Sequence, residues 1–215
     1  MLVLASNSPR RRQMMALGGW PFLVMPAEVD ESVLPGEASR AYVLRLAEEK
    51  ARSALERHRG QLLEEALLLA SDTAVVVDGE ILGKPADAAE AEWMLRRLRG
   101  RSHEVYTGIV ALRVKNGVLL SDVCVTQVPM RPYSDQEIQE YIATGDPFDK
   151  AGGYAIQHAG FHPVTSLEGC YANVMGMPLC HLKRMLTIAG VSPQVDIARA
   201  CQTAIQYDCP VYRYI

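Results

Sequence analysis

LLLASDTAVVVDGEIL, residues 67–82, joins two apolar runs through a polar triplet. Leu67–Ala70 and Ala74–Val77 read as strand, being short, apolar and partly β-branched. Asp78-Gly79 is a hairpin signal, because the tight turns that match strand twist need positive φ. It leads into a returning segment, Glu80, Ile81 and Leu82. Ser71-Asp72-Thr73 interrupts the apolar pattern. A carboxylate among such neighbours is costly to bury unless it is paired or metal-bound. A strand opening into a cleft accommodates it, and an Asp placed there suits general-base work. The other reading is a hydrogen-bonded turn aspartate.

The flanking sequence alternates helix and strand. Leu2–Ala5 is a short apolar run, followed by Ser8 as an N-cap and Pro9 at the first helical position. That helix is expected over Pro9–Leu17, stopping at Gly18-Gly19. A second is expected over Ser39–His58, with Val43, Leu44, Ala47, Ala51, Ala54 and Leu55 at helical spacing. Asp87 with Glu90 opens a third, whose apolar face is Ala91, Met94, Leu95 and Leu98. Val105–Val114 and Val118–Val128 read as strands joined by Lys115-Asn116-Gly117. Ser134 and Glu137 form a capping box for a helix bearing Ile138, Tyr141 and Ile142. Short strands are expected over Gly152–Gln157 and Val164–Leu167, then a helix over Pro178–Ala189 and a last one opened by Ser192-Pro193. With at least two hairpins among alternating elements, the expected class is α/β with a mixed sheet.

Composition narrows the function. The 215 residues are 49% hydrophobic and 22% charged, enough for a substantial core. A net charge of -3 and 7% aromatic residues argue against a nucleic-acid binder. No apolar run is long enough to span a bilayer. At the N-terminus, MLVLASNSPRRR places its apolar residues before its basic ones, the reverse of a secretory signal. Five cysteines without a CxxC imply neither a disulfide framework nor a zinc site, so a cytoplasmic location is expected. There is no P-loop, GxSxG or HExxH motif.

Several segments could carry chemistry. Ser6-Asn7-Ser8-Pro9-Arg10-Arg11-Arg12 places three arginines at a helix N-terminus, against the dipole. An anionic ligand would remove that conflict, and Arg favours bidentate phosphate contacts; an ordinary cap with solvated arginines is the alternative. Lys50 falls on the apolar face with Leu46, Ala47, Ala51 and Ala54. It either snorkels or reaches a partner in a cleft. Lys84, in Gly83-Lys84-Pro85, is a further phosphate contact or a solvated lysine. Asp149-Lys150-Ala151-Gly152-Gly153 permits close backbone approach to a ligand, and Gln157 beyond it can read a base edge or ribose; a tight turn with an exposed lysine is the alternative. Glu28-Val29-Asp30-Glu31 could hold a hard divalent cation or lie in solvent.

Seven segments together resemble the Maf family of nucleoside triphosphate pyrophosphatases. They are LASNSPRRRQMM (4–15), EVDE (28–31), RLAEEKAR (45–52), ASDTAVVVDGEILGKP (70–85), MLRRLRGRSHEVYTG (94–108), YIATGDPFDKAGGYAIQ (141–157) and EGCYANVMGMP (168–178). They cover nearly all of residues 1–190 in the family's order, leaving 191–215 as an extension of unknown role. The resemblance implies an elongated two-lobed fold with a central cleft, similar to that of inosine triphosphate pyrophosphatase. It implies hydrolysis of a nucleoside triphosphate to the monophosphate and pyrophosphate with a divalent cation, Mg²⁺ or Mn²⁺. By carry-over Asp72 is the proton acceptor, with Glu31 and Lys84 in the catalytic set and Ser8, Arg11, Lys50, Asp149 and Lys150 on the substrate. Glu31 and Asp72 are the candidate metal ligands. Arg10, Thr73 and Gln157 occupy the positions associated with substrate choice and resemble the subfamily acting on dTTP and UTP. The resemblance also implies a homodimer as the expected assembly.

The chain departs from the family pattern in places. Gly145-Asp146-Pro147 stands where the family usually reads EP, and Met175-Gly176-Met177-Pro178 replaces the commoner VGLP. Modified pyrimidine triphosphates compete with dTTP and UTP as substrates, since Arg10, Thr73 and Gln157 do not separate the two, and two other functions compete as well. A 7-methyl-GTP pyrophosphatase typically carries an aromatic residue, Gln and Glu at the three selecting positions. A nucleotide-binding regulator of septum formation would not need hydrolysis, nor a general base such as Asp72.

Overall fold

The computed structural model describes residues 1–215. In chain order the elements are β1 (Leu2–Leu4), α1 (Pro9–Leu17), β2 (Phe22–Val24), α2 (Ser39–His58), β3 (Leu67–Val77), β4 (Glu80–Leu82), α3 (Ala88–Leu98), β5 (Ser102–Arg113), β6 (Leu119–Pro129), α4 (Asp135–Ala143), α5 (Tyr171–Val174), α6 (Leu179–Ile188) and α7 (Ile197–Ile205). The strands form one mixed sheet in the order β2-β1-β3-β5-β6, with β4 attached to β3. β1 runs parallel to β2 and β3, while β4, β5 and β6 pair antiparallel.

The sheet forks at β3. One edge of β3 is occupied along its length by β5, from Leu67↔Arg113 to Val76↔Glu104. The other edge is shared: β1 takes Leu67–Leu69 and β4 takes Val75–Val77. Residues 70–74 therefore have no strand beside them on that edge. Asp72 stands at the middle of the gap, which opens into a cleft.

Helices cover both faces. The apolar stripe of α2 buries Val43, Leu46, Ala47, Ala51 and Ala54 against Ala70, Val76 and Val110. It comes unusually near the sheet at Gly108, where a Cβ would lie 2.6 Å from the Val43 carbonyl oxygen. Gly108 is the β5 partner of Asp72, so this contact sets α2 directly above the site. The opposite face packs against α1, α5, α6 and α7 in a cluster that includes Met14, Met15, Leu69, Ile109, Leu182 and Ile197. The far halves of β3, β5 and β6, together with β4, α3 and α4, form a separate core around Val75, Leu95, Val128, Tyr133 and Ile138. These two cores are the two lobes.

The cap and turn signals appear as their chemistry requires. Ser8, Asp87 and Ser134 each accept from the backbone three residues on, and Glu137 completes the capping box. Asp78 and Gly79 take φ of 54° and 78° in the β3–β4 turn. Three expectations are corrected. Ala151–Gly153 is a short 3₁₀ turn, and the following segment to Gln157 forms no strand. Val164 makes a single bridge to Met130 in place of a strand over 164–167. The last helix opens at Asp196, whose side chain accepts from Arg199 N, and not at Ser192-Pro193. β2 and α5, three and four residues long, carry too little periodicity to be foreseen.

Candidate active site

The fork opens into a cavity of about 560 Å³ lined from both lobes. Every residue singled out from the sequence borders it: Ser8, Arg10, Arg11, Glu31, Lys50, Asp72, Thr73, Lys84, Asp149, Lys150 and Gln157. They arrive on several separate supports. Ser8 is the N-cap of α1, and Arg10 and Arg11 lie in its first turn. Lys50 projects from α2, Asp72 and Thr73 from β3, and Lys84 from the loop after β4.

Charges alternate along the floor. Lys50 is buried and donates to Asp72 Oδ1 at 2.5 Å and to Glu31 Oε1 at 2.7 Å. Lys84 donates to Glu31 Oε2 at 2.6 Å. The chain Asp72–Lys50–Glu31–Lys84 thus explains the lysine on the apolar face of α2: it reaches a partner. Burial pushes the Asp72 carboxyl above its ordinary range, with Lys50 and Arg11 opposing the shift. Burial also acts upward on Glu31, but hydrogen bonds from Lys50 and Lys84 outweigh it and hold the carboxyl at about 2. Neighbouring acids therefore differ in proton affinity, the usual precondition for separate roles. The Tyr42 hydroxyl fixes the Glu31 loop by donating to the Glu31 carbonyl at 2.9 Å.

Arg11 is the arginine turned inward. Its Nε donates to the Gly176 carbonyl at 3.2 Å and its Nη2 to Thr73 Oγ1 at 3.3 Å. Burial lowers its proton affinity, while Asp72 and Glu31 act the other way. Gly176 has φ of +92°, and a Cβ there would sit 3.0 Å from Thr73 Oγ1, so only glycine permits this approach. The Gly176 carbonyl also accepts from Ser71 Oγ at 2.6 Å.

The Lys150 loop behaves differently from expectation. Lys150 is buried and its ammonium is spent on its own loop, at 2.5 Å from the Asp146 carbonyl, 2.8 Å from Asp146 Oδ1 and 2.5 Å from Asp149 Oδ1. Asp149 is shared with Arg10 at 3.6 Å. Lys150 here orders the loop that carries Asp149. Gln157 is exposed at the rim. Sequence reasoning missed Tyr42, which lies one residue before the apolar stripe given for α2. It missed Thr107 and Asn173 because neither stands out from its segment; both prove fully buried and polar.

Asp72 and Glu31 offer hard oxygen donors on either side of one lysine, and no group of three acidic, histidine or cysteine side chains gathers anywhere in the chain. Mg²⁺ characteristically takes one or two carboxylates and fills its remaining positions with phosphate oxygens and water. The donor set fits a divalent cation that arrives with a polyphosphate.

Fold and cleft together define a mixed α/β protein with a cleft of paired acidic and basic side chains between two lobes. The chain belongs to the Maf-like protein family, whose model matches residues 1–189. It is 47% identical over 190 residues to a dTTP/UTP pyrophosphatase of Geobacter sp. (strain M21), covering 88% of this chain and 95% of that one. It is 48% identical over 192 residues to a dTTP/UTP pyrophosphatase of Anaeromyxobacter sp. (strain Fw109-5), covering 88% and 89%. A solved dITP/XTP pyrophosphatase of Mycobacterium abscessus overlaps 60% of this chain and 72% of its own, at 16% identity and a TM-score of 0.36.

Proposed function

We propose that this protein is a nucleoside triphosphate pyrophosphatase that hydrolyses dTTP and UTP to the monophosphate and pyrophosphate. One observation carries the chemistry: a buried carboxylate of raised proton affinity, Asp72, stands at the mouth of the fork among cations from separate segments. The relatives named dTTP/UTP pyrophosphatase and the Arg10-Thr73-Gln157 set support the choice of base.

A nucleoside triphosphate carries about four negative charges, and preorganised cations around it contribute most where charge develops. Arg11, Lys50 and Lys84 receive the polyphosphate, and the Ser8 cap with the first turn of α1 offers backbone N–H groups to the same anion. Asp72 takes a proton from water, which attacks the α-phosphorus as the bond to pyrophosphate breaks. Lys50 keeps Asp72 ionised and aimed. Glu31, of low proton affinity, stays charged and holds Lys50 and Lys84 in place. Asp72 and Glu31 would hold a divalent cation, Mg²⁺ or Mn²⁺, which when bound would supply positive charge to offset that of the polyphosphate.

The test is pyrophosphate release from a panel of nucleoside triphosphates, with wild type and Asp72→Asn. Selective release from dTTP and UTP, lost in the variant, is the expected result. Preferred cleavage of 7-methyl-GTP would overturn the base assignment. Nucleotide binding with no cleavage of any substrate would overturn the hydrolytic reading.

A further inference from the structure

The chain passes between the two cores along β3, β5 and β6, and once more outside the sheet. Leu167 packs against the core of β4, α3 and α4, while Cys170 is buried in the other. Residues 167–170 are therefore a second connection between the lobes. They lie close on β6. A Cβ at Gly169 would come 2.7 Å from Thr126 Cγ2, and Thr126 Oγ1 donates to the Cys170 carbonyl at 3.3 Å. Thr126 pairs with Val105 and Val105 with Val75, so the crossing runs over the ribbon three rungs from Asp72.

This stretch has no strand or helix of its own, and residues beyond the family match hold it. α7 is anchored by Ile197 and Cys201, and Gln206 ends it at φ of 51°. Tyr207 then turns back, its N donating to the Gln202 carbonyl at 3.3 Å. Its phenolic proton is shared between the Leu167 carbonyl at 2.6 Å and the Gly169 carbonyl at 3.0 Å. Its oxygen accepts from Gly169 N at 3.2 Å. One hydroxyl thus grips both residues of the crossing. The Tyr207 ring lies 5.8 Å from that of Tyr171 in α5, and Cys209 Sγ is 3.7 Å from the Gly169 carbonyl. None of Leu167, Gly169 and Tyr207 lines the cleft.

Within the cleft the lobes meet through ion pairs, Lys84 with Glu31 at 2.6 Å and Arg10 with Asp149 at 3.6 Å. An arriving polyphosphate competes with those carboxylates for the same cations. These pairs cannot hold the lobes in place while a nucleotide enters; a clamp outside the cleft can. We propose that Tyr207 is a positioning residue: by clamping the crossing it sets the two banks of the cleft at the separation a nucleoside triphosphate spans. This rests on the reading that the nucleotide touches Arg11 and Lys50 on one bank and Lys84 on the other. The hydroxyl contributes on the scale of one or two net hydrogen bonds, which biases two lobe arrangements by about tenfold at most.

The experiment compares wild type with Tyr207→Phe, both shown by thermal melting to be folded at the working temperature. It reads the dissociation constant of non-cleavable α,β-imido UTP, steady-state kinetics on UTP, and one distance between the lobes. The distance runs between spin labels at Glu56 on α2 and Glu140 on α4, both exposed. The labels are carried on a genetically encoded keto amino acid, which spares the native cysteines. Loss of the hydroxyl should broaden the distance distribution of the free protein, and saturating analogue should narrow it again. The dissociation constant and KM should rise about three- to tenfold, because the competent arrangement is less populated. At saturation the bound nucleotide holds both banks, so kcat should stay within about twofold of wild type. A residue that only stabilises the fold would lower Tm and leave distance and affinity unmoved. That result overturns the proposal, as does a fall in kcat with KM unchanged. The distance in the free protein needs no turnover, so failure of the hydrolytic reading shows separately, as absent pyrophosphate release by the wild type. If Tyr207→Phe does not fold, the wild type decides: Gly169 N–H must be protected from hydrogen exchange, and rapid exchange overturns the proposal.

Discussion

Asp72 and Glu31 are adjacent acids with opposite displacements, and pH separates them. The Asp72 carboxyl is raised by burial, so activity should fall on acidification with an inflection above the ordinary carboxylate range. Lys50 opposes that shift, so Lys50→Met should move the acid limb of the pH–rate profile to higher pH; an unmoved limb would detach Lys50 from Asp72. Asp72→Asn should cut turnover roughly 100-fold or more, the scale of general-base catalysis, with nucleotide affinity largely kept. Glu31 acts on stability. Its folded value, about 2, lies below the ordinary 4.5, so its contribution is present above that ordinary value and lost as pH falls toward 2. Asp72 has the opposite sign, since protonation relieves its buried charge as pH falls. Glu31→Gln should therefore flatten the acid side of the Tm–pH curve, modestly because Glu31 is partly exposed. Individual side chains were legible where a polar residue broke an apolar pattern, as Asp72 and Lys50 do. Thr107 and Asn173 were not, because the partners that give them meaning lie on strands and turns far away in sequence.

Among the elements, α2 was legible to its boundaries because an amphipathic stripe of that length leaves little choice of register. The capped starts of α1, α3 and α4 were legible because a side-chain acceptor precedes each apolar face. The failures are the pieces held by tertiary contacts. The segment from Gly152 to Gln157 is apolar and glycine-rich, but it packs on Val75 and Ala91 without pairing to any strand. The last helix was placed early because Ser192-Pro193 looks like a start; the Ser192 carbonyl instead accepts from Trp20 Nε1 at 3.3 Å. The contact of α2 with Gly108 yields a prediction at this level. Gly108→Ala drives a methyl into the Val43 carbonyl and should cost about 1–3 kcal/mol, as overpacked sites do. It should also reduce kcat, because lifting α2 draws Lys50 away from Asp72. Chemical denaturation and steady-state kinetics on the one variant check both.

The whole molecule extends past its family. The family match ends at residue 189, yet α7 buries Ile197 and Cys201 in the same core as Trp20 and Leu186. Deleting residues 191–215 should lower stability by about 3 kcal/mol, from the apolar surface laid bare. A truncated protein as stable as the full chain would make α7 a passive appendage. That the sheet is mixed was legible from the hairpins; where the sheet divides was not, since strand neighbours are chosen by the assembled fold. The fork has a mechanical consequence. Across the gap, what continues from lobe to lobe within the sheet is chiefly the ten-position β3–β5 ladder and its extension to β6. Such a ribbon strongly resists sliding and stretching but yields to torsion about its long axis. The lobes should therefore twist like the jaws of a sprung peg about an axis near Asp72, a motion that a nucleotide-dependent change in a distance measured between labels on the two lobes would reveal. The jaw tips would then change their separation while the Asp72 carboxylate stays still.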